Sequence, residues 1–216
     1  MGKGAAMKER LIETENCIAE GVIYLSKVEP RFAHVIDVHG DLPLRLRKDG
    51  FSQLLQAIVS QQISVAAAAS IWERLRKAKL NNAKAIRSAS KEELRSCGLS
   101  GQKVTYAKAL AEAGINYRQL RSADMREVVE TLTEVKGIGK WTAEIYAMFS
   151  LARADAFAAG DLALQESARL LFDLEKRPTE KQLEALAEPW RPWRSVAARA
   201  LWAYYHVIKS REGIGV

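Results

Sequence analysis

Leu132-Thr133-Glu134-Val135-Lys136-Gly137-Ile138-Gly139-Lys140-Trp141-Thr142-Ala143 joins two helical patterns through a turn that calls for glycine. Upstream, Val128, Val129 and Leu132 recur at helical spacing. Downstream, Trp141, Ile145, Met148 and Phe149 do the same. A Gly-Ile-Gly turn between two helices reads as a hairpin. Its glycines allow positive φ and the close approach of other groups, and the second helix opens with N–H groups directed at the turn. Such a helix start holds a phosphate oxygen well, and Lys136 and Lys140 would add charge for the same anion. The unit reads as a grip on a nucleic-acid backbone that is indifferent to base sequence. The plainer alternative is a connector between helices, since Gly-x-Gly is common in helical proteins.

Composition bounds the rest. A chain of 216 residues that is 48% hydrophobic has ample material for a buried core, as one large domain or two small ones. Thirty-three Lys and Arg against 26 Asp and Glu give a net charge of +7 and a pI near 9.4, which favours a polyanionic partner. Cys17 and Cys97 lie far apart without metal-ligand spacing, so neither a zinc site nor an iron-sulfur cluster can be built from them, and a reducing compartment is expected. The uncharged run from Phe51 to Trp72 is interrupted by Gln53, Gln56, Gln61 and Gln62 and by serines, so it reads as a buried helix pair and no membrane span is expected. Met1 to Arg10 lack an apolar core and a cleavage-like site, and no signal peptide is expected.

Along the chain, Met7 to Ser26 shows helical register, and Pro30 opens a second helix that Gly40 ends. Leu42 to Arg47 alternates and should run extended with its leucines inward. Phe51–Ile63 and Val65–Arg76 form two helices with Ser64 as a cap between them. Ser90 to Glu93 has the spacing of a capping box, Gly98 stops that helix, and Ser100 caps the next. Ser122 begins the helix that enters the hairpin, Thr179 to Gln182 forms another capping box, and the last long helix runs from Pro192 to Ile208. No repeat, low-complexity tract or convincing strand pair is found.

Asp161 stands before the amphipathic stretch from Leu162 to Phe172, where aspartate is among the best N-cap residues. Capping and chemistry are compatible, because a helix N-terminus keeps a carboxylate ionised.

The pattern Leu-x-x-Val-x-Gly-Ile-Gly-Lys-Trp-Thr-Ala resembles the helix-hairpin-helix of the DNA glycosylase superfamily, which carries a catalytic aspartate downstream at a helix start. Asp161, twenty positions beyond Trp141, fills that place. Trp190-Arg191-Pro192-Trp193-Arg194-Ser195, followed by Ala197 to Trp202, resembles the C-terminal segment of the DNA-3-methyladenine glycosylase II branch. The resemblance covers roughly Phe51 to His206. It implies an all-α, two-lobed fold with the hairpin in a central domain at 50–153, a second helical domain from 1–49 plus 154–216, and an active-site cleft between lobes. Some relatives have an N-terminal β-rich domain, for which about fifty residues are too few, so the compact form is expected.

The resemblance also implies site residues. Asp161 would stabilise the sugar cation formed as the base leaves, or orient the attacking water. Trp202 and Trp141 match aromatic walls of the base pocket, where an electron-rich ring attracts a positively charged alkylated purine; core packing is the alternative for Trp141. Lyase relatives place a nucleophilic lysine where this chain has Trp141, and Lys140 lies about 100° away around the helix, so a monofunctional enzyme using water is expected. Gly137, Gly139, Lys136, Lys140 and Thr142 would bind the DNA backbone. Gln61, Gln62, Leu99, Ser100 and Gly101 would border the gap left by a flipped base, although Gly101 cannot fill it and the glutamines could instead pair with backbone. Backbone carbonyls of Thr133, Val135 and Ile138 would hold a structural monovalent cation, with no cofactor for catalysis and no iron-sulfur cluster. Two pocket aromatics of the branch are replaced here by Ile145 and Leu162.

The expected function is excision of alkylated purines (3-methyladenine or 7-methylguanine type) from double-stranded DNA in base excision repair. The protein would act as a monomer in the cytoplasm, or in the nucleus of a eukaryote. The rivals are a non-catalytic helix-hairpin-helix module and a glycosylase for another base, such as hypoxanthine or uracil.

Overall fold

Short polar side chains set most helix boundaries. In the computed structural model, which describes residues 9–211, the chain forms thirteen α-helices and one short 3-10 turn, with no β-strand among those residues. The all-α expectation holds. The chain divides into two units, Arg47–Tyr146 and Met1–Leu46 with Ala147–Val216.

The second of these begins with α1 (Glu15–Val28) and α2 (Arg31–His39), where Pro30 occupies the N-cap position and Gly40, at φ +84°, ends the helix. The helical reading from Met7 falls partly outside the described residues, and the helix itself starts only at Glu15. Leu42 is buried, but Leu46 is 44% exposed, so the inward alternation expected for residues 42–47 fails. Arg45 takes a left-handed φ of +50°, so the segment is not extended throughout and the period of two is broken.

The unit Arg47–Tyr146 holds α3 (Phe51–Ser60), α4 (Val65–Lys77), α5 (Ala83–Ser88), α6 (Lys91–Ser96), α7 (Gly101–Glu112), α8 (Tyr117–Ser122) and α9 (Met125–Thr133). Ser64 accepts from the Ala67 N–H, Ser90 and Glu93 complete a capping box, and Ser100 accepts from the Lys103 N–H, each as its sequence context predicts. Asp124, not Ser122, caps the helix that enters the hairpin, accepting from the Glu127 N–H at 2.8 Å. Ser122 instead closes α8, a six-residue helix too short for periodicity to reveal; α5 is another. Lys103 is buried on α7 and donates its ammonium to the Val59 carbonyl at 2.6 Å. Burial pushes its pKa down. The contact places positive charge at the carbonyl end of α3, where the helix dipole favours it.

The hairpin follows α9. Val128, Leu132, Val135 and Ile138 are all buried, so alternate sides of the turn are pinned to the core. Only Gly137 has positive φ, at +98°. A Cβ there would lie 2.3 Å from Tyr106 Cγ, whereas a Cβ on Gly139 would meet nothing within 4 Å. Gly139 is therefore free of the steric reason that fixes Gly137, and the expectation that both glycines take positive φ is corrected. The chain passes into the other unit within α10 (Lys140–Phe149).

That unit resumes with residues 150–161, then α11 (Leu162–Leu171), α12 (Glu180–Leu186), the 3-10 turn (Glu188–Trp190) and α13 (Arg194–Arg211). Its core centres on Trp190, which meets Phe32 edge-on at 5.1 Å, stacks with Phe172 at 5.6 Å and meets Phe157 edge-on at 5.9 Å. Gly21 of α1 leaves room for Val196 of α13, whose Cγ2 would be 2.6 Å from an added Cβ.

Local geometry sets the expected stability of three variants. Gly137→Ala combines a left-handed φ with the Tyr106 contact and should destabilise by at least about 2 kcal/mol. Gly139→Ala should change stability by no more than about 0.5 kcal/mol, both read by urea unfolding. Tyr146 is 4% exposed, and its hydroxyl accepts the Gly50 N–H at 2.7 Å. Burial pushes its phenol up to about 12 from the ordinary value of 10. The neutral phenol is thus favoured in the fold, so its contribution is complete below pH 10 and lost as pH rises through about 12. Tyr146→Phe should cost about 1–2 kcal/mol at neutral pH by stranding the Gly50 N–H. It should also make the loss of stability across that alkaline window shallower than in the unsubstituted protein.

Candidate active site

Asp161 is the N-cap of α11, with extended backbone at φ −70° and ψ 121°. Its Oδ1 accepts from the Ala163 N–H at 2.9 Å and the Leu164 N–H at 3.0 Å. A third donor, the indole Nε1–H of Trp202 on α13, reaches the same oxygen at 3.2 Å. These three donors are neutral, and they orient the carboxylate. The helix start adds partial positive charge on the same side.

The loop before Asp161 is fixed by backbone pairing. Ile12 N–H donates to the Ala152 carbonyl at 2.7 Å and Ala154 N–H to the Arg10 carbonyl at 3.0 Å, around an isolated antiparallel bridge between Leu11 and Arg153. On the opposite side of the chain, Ser195 N–H donates to the Ala154 carbonyl at 2.9 Å. Arg153 is buried and ion-paired with Glu9. The Asp155 carboxylate takes both Arg191 and Arg194 at 2.7 Å. Nearer the aspartate, Gln165 Nε2 donates to the Ala159 carbonyl at 2.9 Å, and Ser167 Oγ ties α11 to α13 through the Leu201 carbonyl at 2.6 Å.

Trp202, expected as an aromatic wall of a base pocket, is fixed by two contacts. Its ring stacks on Phe149 at 5.9 Å and 30°, and its N–H is committed to Asp161. Sequence reasoning placed Asp161 and Trp202 in one site but missed this bond, because the two are 41 positions apart and no local pattern encodes it. Leu162, expected in place of a pocket aromatic, is 62% exposed directly after the aspartate, and Ile145 is half-buried on α10.

In the unit Arg47–Tyr146, the hairpin presents Lys136, Gly139, Lys140 and Trp141 at the surface, with Trp141 49% exposed. Core packing is thus not the role of Trp141 within its own unit. Lys140 Nζ is 3.7 Å from Glu144 Oε1. Thr142, expected to touch DNA, is 7% exposed, because helical spacing turns it inward. The Val135 carbonyl, one of three offered to a cation, accepts the Ile138 N–H at 3.0 Å and keeps one lone pair for an ion.

Gln61 leaves the end of α3 and donates its Nε2–H to the Gly137 carbonyl at 2.9 Å. It locks this loop to the hairpin, so its amide serves backbone pairing. Gln62 is exposed, with left-handed φ of +58°. Leu99, weighed as a gap filler, is 3% exposed, so its side chain is packed in the core. Ser100 spends its hydroxyl on capping α7, and Gly101 is exposed with open space around it. Of the five residues expected at the gap, Gln62 alone is an exposed side chain not already engaged in holding the fold.

The chain as a whole has known relatives. Residues 55–192 match the model of the HhH-GPD superfamily base excision DNA repair proteins. DNA-3-methyladenine glycosylase 1 of Schizosaccharomyces pombe is 31% identical over 207 residues, covering 90% of each chain. A solved structure of the S. pombe 3-methyladenine DNA glycosylase in complex with abasic DNA superposes with a TM-score of 0.74, covering 85% of this chain and 95% of that one at 31% identity. The DNA-3-methyladenine glycosidase of Bacillus halodurans superposes with a TM-score of 0.81, covering 94% and 95% of the two chains at 29% identity. With the family pattern running through the hairpin and on past Asp161, this chain belongs to the HhH-GPD superfamily of base excision DNA repair proteins.

Proposed function

We propose that the protein is a monofunctional DNA glycosylase that hydrolyses the N-glycosidic bond of alkylated purines of the 3-methyladenine and 7-methylguanine type. The observation that carries this reading is the Asp161 carboxylate, held by three neutral donors at the start of α11 in a chain of this family. The names of its relatives support the substrate class.

Chemistry follows from charge. When the bond between the sugar carbon and the base breaks, its electron pair leaves with the base and positive charge spreads over that carbon and the ring oxygen. An ionised, oriented carboxylate stabilises that cation, and no reorganisation is needed as the charge appears. Water then adds to the sugar carbon and releases a proton to the carboxylate or to solvent. An alkylated purine starts as a cation and leaves as a neutral base, so it needs no proton from the protein. The aromatic faces of Trp141 and Trp202 are each suited to a cationic base, through stacking and attraction to the ring. Lys136, Lys140 and Gly139 supply contacts to phosphate that are independent of sequence. The compartment we infer is one that holds DNA, the cytoplasm or the nucleus.

Asp161→Asn keeps a good N-cap and should leave stability within about 0.5 kcal/mol. Excision of 7-methylguanine under single-turnover conditions should fall by about two to three orders of magnitude, because the charge facing the sugar cation is lost. Turnover near the unsubstituted rate in that variant removes Asp161 from the chemistry, and the non-catalytic DNA-binding reading gains if no lesion is excised by either protein. The product should be an intact abasic site, since water is the nucleophile and no amine occupies the position of Trp141. Borohydride added during turnover, followed by denaturing electrophoresis, should give no covalent protein-DNA band. A band that disappears in Lys140→Ala identifies Lys140 as the nucleophile and refutes the water mechanism.

A further inference from the structure

Arg199 on α13 is a charge that packing alone does not call for. It is 2% exposed, and no carboxylate lies within ion-pair distance of it among the described residues. Nη1 donates to the Ser195 carbonyl at 2.8 Å and the Ser195 hydroxyl at 2.6 Å, and Nη2 to the Leu44 carbonyl at 3.1 Å. Nε is buried without a hydrogen-bond partner. An apolar side chain of similar volume would fill this space, beside the buried Ala198, Ala200 and Leu201, without the desolvation cost of a guanidinium.

What the charge does meet is an aromatic face. The guanidinium carbon is 4.7 Å from the centroid of Phe149. Phe149 also stacks with Trp202, and Trp202 holds Asp161. Arg199 and Trp202 are three positions apart on one helix, so both project from the same side of α13 and reach the same ring. A fork that is tied at one end to Ser195 and at the other to Leu44 has a fixed plane, which a lysine ammonium on a flexible stem could not supply.

We propose that Arg199 is a positioning residue for the Asp161 reaction: its clamped guanidinium fixes the Phe149 ring, Phe149 fixes the plane of the Trp202 indole, and the indole N–H fixes the carboxylate. This rests on the catalytic reading of Asp161. The link most sensitive to misalignment is the last, a 3.2 Å bond whose strength falls steeply as the donor turns away.

The test measures single-turnover excision from a duplex carrying one 7-methylguanine, affinity for a duplex carrying a tetrahydrofuran abasic analogue, and fluorine NMR of protein containing 5-fluorotryptophan. The Trp202 signal is assigned with Trp202→Phe. Arg199→Met should slow excision on the order of tenfold to a hundredfold, leave affinity for the abasic duplex essentially unchanged, and shift the Trp202 resonance. Phe149→Leu should do the same, and the double variant should be no slower than the slower single one, because both act through one ring. Arg199→Lys covers the case in which Arg199→Met fails to fold: it should be slowed less, with the same lack of additivity toward Phe149→Leu. Losses that multiply, or a folded Arg199 variant with unchanged rate and an unmoved Trp202 resonance, overturn the proposal. If that result accompanies an inactive Asp161→Asn, only the role of Arg199 falls. An active Asp161→Asn overturns the catalytic reading, and the proposed role of Arg199 with it.

Discussion

The contact that organises the unit around Asp161 is the convergence of neutral donors on one oxygen of its carboxylate. These donors are two backbone N–H groups and an indole N–H, which give the carboxylate direction. Each depends on a larger piece of structure. The backbone pair requires α11 to begin at Leu162, which the bond from Asp161 N–H to the Ala158 carbonyl at 2.9 Å and the Gln165 bond to Ala159 enforce. The indole requires α13 to lie against α11, which the buried Ser167 bond to Leu201 and the alanines at 197, 198 and 200 permit by letting the helices approach closely.

The unit that carries the hairpin is governed by a different need, a backbone turn that stays rigid while its outer side remains open. Tyr106 fills the space beneath Gly137, Gln61 takes its carbonyl, and Val135 and Ile138 anchor the flanks. The outer side is left to Lys136, Gly139 and Lys140. Two glycines that look equivalent in sequence therefore differ: Gly137 is fixed by its φ and by Tyr106, whereas Gly139 lies open to the surface.

Much of this was legible in the chain. Helix starts at Ser64, Ser90, Ser100, Asp161 and Thr179 were readable because capping is local: the donor and acceptor lie within three residues, and the sequence displays both. The hairpin and the aspartate were readable because a recurring pattern carries them. Contacts between distant residues were not. The bonds from Trp202 to Asp161, Gln61 to Gly137 and Arg199 to Leu44 join positions that no periodicity relates. Burial was misjudged where a residue type is compatible with two environments: Leu99 and Thr142 are core, and Leu46 is surface. The six-residue helices α5 and α8 escaped because less than two turns cannot show a repeat.

The pairing of residues 10–12 with 152–154 has a consequence for handling the protein. Two backbone bonds and the Glu9–Arg153 ion pair make the early chain a lace that holds the loop leading into Asp161. Those atoms support the Asp161 loop as α11 does, although they precede the first helix and match no motif. A shortened version trimmed at Glu15 would retain every helix and lose the partners of Ala152, Arg153 and Ala154.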